Sequence, residues 1–242
     1  MKKKVALVIG AGTSLGSAVA RCFAKDGLTA VVARRAGEEL STLKKEIEDF
    51  GGTCHPFSLD ARKEDDVINL INKIENEIGE IEVAVYNIGA NIKFGITETT
   101  SQKYYKVWEM AAFGAFLMGR EVAKKMIPRK KGTIIFTGAT ASVRGGDGFA
   151  AFAGAKHAKR ALAQSMAREL GPKGIHVAHV IIDGAIDTPW VNKLFPDYVK
   201  EKKKIDGIMN PDDIASNYIM LHKQSRNAWT QELDLRPWVE KW

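Results

Sequence analysis

Short apolar runs recur along the chain at residues 5–9, 29–33, 54–58, 83–86, 133–136 and 175–182, with a last one near 229–235. Such runs, apolar at consecutive rather than alternate positions, suit strands buried on both faces of a sheet. Between them, residues 14–26, 38–50, 63–78, 101–127 and 152–170 carry the three- and four-residue apolar spacing of a helix with one buried face. Turn chemistry agrees, since Gly51-Gly52 closes one helix and Asn210-Pro211 caps and opens another. The alternation predicts an α/β fold, a single doubly wound Rossmann-type domain with a mostly parallel seven-stranded sheet joined by six crossovers.

Composition narrows the class without changing that picture. No linker-like stretch or internal repeat divides the 242 residues, so one domain over 1–242 is expected. Hydrophobic residues at 45% and charged residues at 27% suit a soluble chain with a substantial core. Met1 to Lys4 has the charge of a signal-peptide start, but the apolar run after it is too short and enters a glycine turn. No membrane segment is expected, and Cys22 and Cys54 alone make neither a disulfide framework nor a metal site. A cytoplasmic protein follows. The net charge of +7 gathers partly in short runs at Lys2 to Lys4, Arg129 to Lys131 and Lys202 to Lys204. They lack interleaved aromatics and read as solvated surface, so nucleic acid is not an expected partner.

The segment Gly10-Ala11-Gly12-Thr13-Ser14-Leu15-Gly16 follows the first strand and opens the first helix. Small residues there let backbone amides approach a pyrophosphate at the positive helix end. Gly10, Gly12, Thr13, Ser14, Leu15 and Gly16 are therefore expected to cradle a dinucleotide. About twenty residues on, where an acidic side chain would bind the ribose 2′-hydroxyl of NAD, stand Arg34 and Arg35. Guanidinium groups pair with phosphate oxygens and gain little from a neutral hydroxyl, which favours NADP over NAD.

Later motifs continue in a familiar order. Leu59-Asp60-Ala61 follows the third strand, Tyr86-Asn87-Ile88-Gly89 the fourth, and Asp183-Gly184-Ala185-Ile186-Asp187-Thr188 the sixth. From about Lys4 to Leu235 the chain resembles the short-chain dehydrogenase/reductase family. The resemblance implies that Asp60 touches adenine, that Asn87 and Gly89 line the nucleotide and steady the sheet, and that Ile186 and Thr188 hold the carboxamide and phosphates. It implies a lid over the substrate at 188–204, with Trp190, Leu194, Phe195 and Tyr198 serving either that lid or a subunit contact. It also implies a homo-oligomer, a tetramer first, paired through the helices at 101–127 and 152–170.

The same resemblance exposes a loss. The family's Tyr-x-x-x-Lys pair is here Phe152-Ala153-Gly154-Ala155-Lys156, Ala139 stands where its serine belongs, and Ala111 where its asparagine belongs. In the family the tyrosine moves the proton, the lysine lowers its pKa and binds the nicotinamide ribose, the serine orients the carbonyl and the asparagine supports a water relay. Phe152 moves no proton, so the chain is similar to the atypical branch without the tyrosine, and Lys156 is kept as the surviving catalytic and cofactor residue. Thr140, Ser142, His157 and Tyr104 are the nearest replacement acids, and none has clear placement. Two readings stay open. One is an oxidoreductase acting on an unidentified carbonyl or alcohol, with water or the substrate itself among the possible proton donors; the other is a catalytically silent nucleotide-binding or scaffold protein. Both bind NADP(H).

Overall fold

A computed structural model describes residues 2–241; Met1 and Trp242, which the single-domain expectation includes, lie outside the described residues. Seven strands form one sheet in the order β3-β2-β1-β4-β5-β6-β7. They are β1 (Lys4–Ile9), β2 (Thr29–Arg34), β3 (Cys54–Ser58), β4 (Glu80–Tyr86), β5 (Gly132–Thr137), β6 (Ile175–Ile182) and β7 (Glu232–Leu235). Every neighbouring pair is parallel, so the expected "mostly parallel" sheet is wholly so.

Helices cover both faces. On one, α3 (Glu64–Lys73), α5 (Gly114–Met126) and α6 (Ala150–Leu170) bury Val67, Leu117 and Ala163 against Leu7, Tyr86 and Phe136. On the other, α1 (Leu15–Lys25), α2 (Ser41–Asp49) and α9 (Pro211–Lys223) bury Phe23, Ile47 and Tyr218 against Val8, Val32 and Val85. The central strands β1, β2, β4, β5 and β6 thus meet apolar neighbours above and below, which is why their sequences read as continuous apolar runs. The N-cap of α9 is Asn210, whose side chain accepts from the Asp212 amide at 2.9 Å.

Four expected elements are modified. The helix expected at 101–127 divides into α4 (Ser101–Trp108), a π turn (Glu109–Phe113) and α5. A π turn widens the helix and frees a carbonyl, and the Tyr86 hydroxyl donates to the Met110 carbonyl at 2.7 Å. The helix expected at 38–50 begins with a 3-10 turn (Gly37–Leu40), and that expected at 63–78 ends in a second π turn (Ile74–Ile78). The last strand starts at Glu232 rather than near 229, because Trp229 stacks on His176 and the Thr230 amide is taken by the Gln224 side chain.

Strand order reverses between β1 and β4, the place where a crevice opens beyond the strand ends of a doubly wound sheet. Two short helices, α7 (Pro189–Leu194) and α8 (Pro196–Lys203), follow β6 and flank that end.

Candidate nucleotide cleft and active site

The glycine turn lies at the head of this crevice. Gly10 has φ +93°, and a side chain there would meet the Ile88 amide at 2.9 Å. A Cβ on Gly16 would collide with the Gly10 carbonyl and reach Asn87 Nδ2 at 3.0 Å, so helix and strand approach only without one. Asn87 Nδ2 donates to that same carbonyl at 3.1 Å, tying the end of β4 to the turn. Around the Cβ position of Gly12, by contrast, there is open space. Ser14, standing where a family glycine is usual, has φ −139° and so tolerates a side chain; its hydroxyl is buried with no partner among the described residues. Thr13 is exposed, while the Leu15 side chain is buried in the core, leaving Leu15 its backbone amide to offer at the start of α1.

From this turn a cleft of about 710 Å³ runs between Arg34 and Arg35 on one side and Asn87, Ile88 and Gly89 on the other. Arg34 is 2.8 Å from Glu39, and both line the cleft. Asp60 is clamped by Arg62, which donates through Nε at 2.9 Å and Nη2 at 2.7 Å. Those bonds hold the Asp60 carboxyl down at about 2. Sequence reasoning missed Arg62; its position two residues from Asp60, facing back on the same turn, was the available signal.

At the other end Lys156 is buried, and its Nζ donates to the Thr137 carbonyl at 3.1 Å and the Gly138 carbonyl at 3.3 Å. Burial pushes its pKa down to about 8. A side chain on Gly89 would come 3.9 Å from this nitrogen, so Lys156 borders the cleft. The Phe152 ring, whose centroid is 5.5 Å from Lys156 Nζ, packs with Ala139, Ala141, Phe149 and Ala153. Phe152 and Ala139 therefore share one small apolar cluster. Ala111 is fully buried in the π turn, among Val107, Ala151 and Ala155.

Three of the four substitute acids hydrogen-bond elsewhere, and the fourth packs over another part of α6. Thr140 donates to Asp183 at 2.5 Å, and Ser142 accepts from the Ala139 amide at 3.1 Å. His157 Nδ1 is 2.9 Å from the carbonyl of Ala153 on its own helix. The Tyr104 hydroxyl lies over Gly154, where an added Cβ would meet it at 2.6 Å, on a different side of α6 from Phe152.

Beyond β6, Ile186 bridges to Met209, and Thr188 caps α7 by accepting from the Val191 amide at 3.1 Å. Asp183, where the family has proline, is buried and faces Thr140, Arg144 at 3.3 Å and Arg236 at 3.6 Å. Lys203 on α8 reaches back to Asp187 at 2.6 Å. Trp190, Leu194, Phe195 and Tyr198 on these helices are exposed.

A second lysine was also missed. Lys159 has no exposed surface; its Nζ donates to the Ile88 carbonyl at 3.1 Å and sits 5.5 Å from the centre of the Tyr86 ring. Burial, then the neighbouring charge of Lys156 three residues back on α6, holds Lys159 well below the ordinary lysine range. A lysine three residues from Lys156 on an otherwise alanine-lined helix face was the signal.

No group of three or more metal-ligating side chains, and no helix long and apolar enough to cross a membrane, occurs among the described residues. A family described as short chain dehydrogenase matches residues 4–199. The chain is similar to a crystal structure of a short-chain dehydrogenase from Rhodopseudomonas palustris, at 45% identity and TM-score 0.84, covering 97% of this chain and 99% of that one. A metagenomic short-chain oxidoreductase in complex with NADP is 25% identical at TM-score 0.83, over 98% of each chain. Short chain aldehyde dehydrogenase 1 of Euphorbia lathyris is 30% identical over 199 residues, 81% of this chain and 68% of that protein.

Proposed function

The chain belongs to the short-chain dehydrogenase family, and from that membership we propose that it binds NADP(H) and transfers hydride between it and a carbonyl or alcohol substrate without the family's tyrosine. One observation carries the reading. A single crevice is lined by an open glycine turn and two arginines at one end and by Gly89 at the other, with the buried Lys156 nitrogen 3.9 Å from where a Gly89 side chain would begin. The metagenomic relative is described in complex with NADP.

The residues fit such a cofactor. Free amides at the start of α1, the room at Gly12 and the unpartnered Ser14 hydroxyl suit a pyrophosphate. Arg34 and Arg35 would hold a 2′-phosphate, with NAD the weaker ligand. Asp60 would meet the adenine, Asn87 and Gly89 the ribose side, Lys156 the nicotinamide ribose, and Ile186 and Thr188 the carboxamide. Bound there, the cofactor supplies a hydride donor or acceptor. Phe152 and Ala139 supply an apolar wall, exclude water and move no proton, so the proton must come from elsewhere. We place a substrate lid over residues 188–204. We also propose a homotetramer, because Tyr105, Trp108, Phe113 and Phe116 form successive ring contacts of 6.1, 5.8 and 6.1 Å, with Tyr105 and Phe116 exposed. Two free cysteines, Cys22 half-buried and Cys54 buried, suit a reducing cytoplasm.

The apolar cluster around Phe152 favours a second reading, a silent nucleotide-binding protein. Titrating purified protein with NADPH and NADH, then assaying NADPH oxidation against a panel of aldehydes and ketones, separates the two. Binding with turnover supports the oxidoreductase, binding without turnover supports the silent protein, and no binding defeats both.

A further inference from the structure

At the end of the sheet opposite the nucleotide cleft lies a second cavity, of about 440 Å³. It sits where β1, β4, β5 and β6 begin and α9 ends. The six residues of β1 separate it from the glycine turn, about 20 Å of extended chain. A small molecule held here shares no contact with one held in the cleft.

Positive charge gathers around this cavity. Of the short basic runs in the sequence, Lys2 to Lys4 and Arg129 to Lys131 each send their last lysine to one carboxylate: Lys4 Nζ is 3.0 Å from Glu82 and Lys131 Nζ 2.8 Å from it. Arg226, just past α9, donates through Nη2 to the Lys130 carbonyl at 2.5 Å, which ties its guanidinium to the backbone next to Lys131. A carbonyl carries no charge, and no carboxylate pairs with Arg226 among the described residues. Lys223 pairs with Asp26, and its place in the last turn of α9 also offsets the helix dipole. Four cations against two carboxylates leave two positive charges over on one cavity. Burial holds His176 and His222, which also line it, below the usual imidazole range, so neither adds charge at neutral pH. One wall is flat, with the Trp229 ring stacked on His176 at 5.0 Å and 3°.

We propose that this cavity is a second ligand site, taking a small molecule that bears a phosphate group, with the phosphate on Arg226, Lys131 and Lys4 and the rest against Trp229. A phosphate ester carries about −1.5 to −2 charges at pH 7, which matches the excess, whereas a single carboxylate leaves one cation unmatched. The forked N–H groups of Arg226 fit two phosphate oxygens, and each lysine has three donors, so it can bind a phosphate without leaving Glu82. Ligand cavities run from about 300 to 1,000 Å³, so this one holds a phosphate ester of modest size, and it is smaller than the cleft of about 710 Å³ assigned to a dinucleotide. Glu82 gathers the two lysines and at the same time repels an anion, so the affinity is set below what the cations alone would give.

Inorganic phosphate is the probe, titrated by calorimetry at neutral pH with chloride holding the ionic strength constant. The unmodified protein should bind it saturably, and Arg34→Asp with Arg35→Ala, which strips the nucleotide cleft of its arginines, should bind it within twofold of that. Adding Arg226→Ala and Lys131→Ala to either protein should weaken binding fivefold or more, and Glu82→Gln should tighten it at least twofold. Arg226 and Lys131 are exposed, so folding should survive their loss, and Glu82→Gln decides the matter if it does not. Loss of binding on changing the cleft arginines alone places the phosphate in the cleft and overturns the proposal. Equal binding with and without the cavity changes, or no saturable binding at millimolar phosphate, overturns it too. None of these outcomes depends on NADPH or on turnover, so the redox reading stands or falls separately.

Discussion

Restoring the lost hydroxyl is the most direct perturbation of this site. Phe152 and Ala139 already share a cluster, so Phe152→Tyr with Ala139→Ser adds two hydroxyls to one place. Phe152 is only 7% exposed, and a buried hydroxyl without a partner costs about 1–3 kcal/mol. If the two hydroxyls hydrogen-bond one another, the double variant should be less destabilised than the sum of the singles. The restored phenol would lie at a distance from Lys156 comparable to the present 5.5 Å from ring centre to Nζ. At an effective dielectric of about 20, a protonated Lys156 at about 5.5 Å favours phenolate by roughly 3 kcal/mol, about two pH units, partly offset by the burial that disfavours the charged phenolate. That brings the new acid closer to working pH, where such groups contribute about 10² to 10⁴ in rate. A gain of about tenfold or more in NADPH oxidation, followed by absorbance across the carbonyl panel, is expected. Ala111→Asn is a poorer companion, because Ala111 has no exposed surface and overpacking there costs about 1–3 kcal/mol. A folded double variant that binds NADPH and gains nothing would refute the reasoning and favour the silent protein.

Arg34→Asp with Arg35→Ala should weaken NADPH binding at least tenfold and spare NADH, and equal affinity of the unmodified protein for both cofactors would count against the assignment. Glu39→Gln frees Arg34 from a half-exposed ion pair, so NADPH affinity should rise by no more than about fivefold, since such pairs are worth about 0–1 kcal/mol. Light scattering should show a tetramer that falls apart when Tyr105 and Phe116 are both changed to Glu; a monomer at micromolar concentration would contradict the interface. Burial lowers the pKa of His179, on β6, to about 4 in the fold, so between pH 6.5 and 4 the unfolded chain takes up a proton that the folded one refuses. Stability should fall across that window by at most about 3 kcal/mol and level off below it. Urea unfolding at several pH values should show a shallower fall in His179→Gln, and an identical fall would remove His179 as its cause.

The alternation of apolar runs and amphipathic stretches was enough to specify the sheet, because a strand covered on both faces admits little else in sequence. Residues 54–58 and 175–182 match β3 and β6 end to end, and the others differ by a few residues at their ends. The glycine turn was equally legible, since Gly10 and Gly16 answer to backbone geometry and close approach, which are local demands. The π turn inside 101–127 was not, because it depends on the Tyr86 hydroxyl reaching Met110 from another strand.

Phe152, Ala139 and Ala111 announced in sequence what the site lacks, because a missing hydroxyl is a property of the residue itself. What stands in for it depends on where side chains end. Thr140 donates to Asp183, Ser142 accepts from a backbone amide, and the Tyr104 hydroxyl packs over Gly154, none of which their positions in sequence disclose. Lys159 and His179 look in sequence like a helix-surface lysine and a strand histidine. Only the packing of α6 over the sheet removes them from water and leaves His179 Nε2 without a partner among the described residues. The sequence therefore determined the sheet, the phosphate turn and the lost acid through local rules of backbone and composition. The tertiary structure alone decided which charges are buried together, because desolvation and proximity belong to the packed molecule rather than to any stretch of chain.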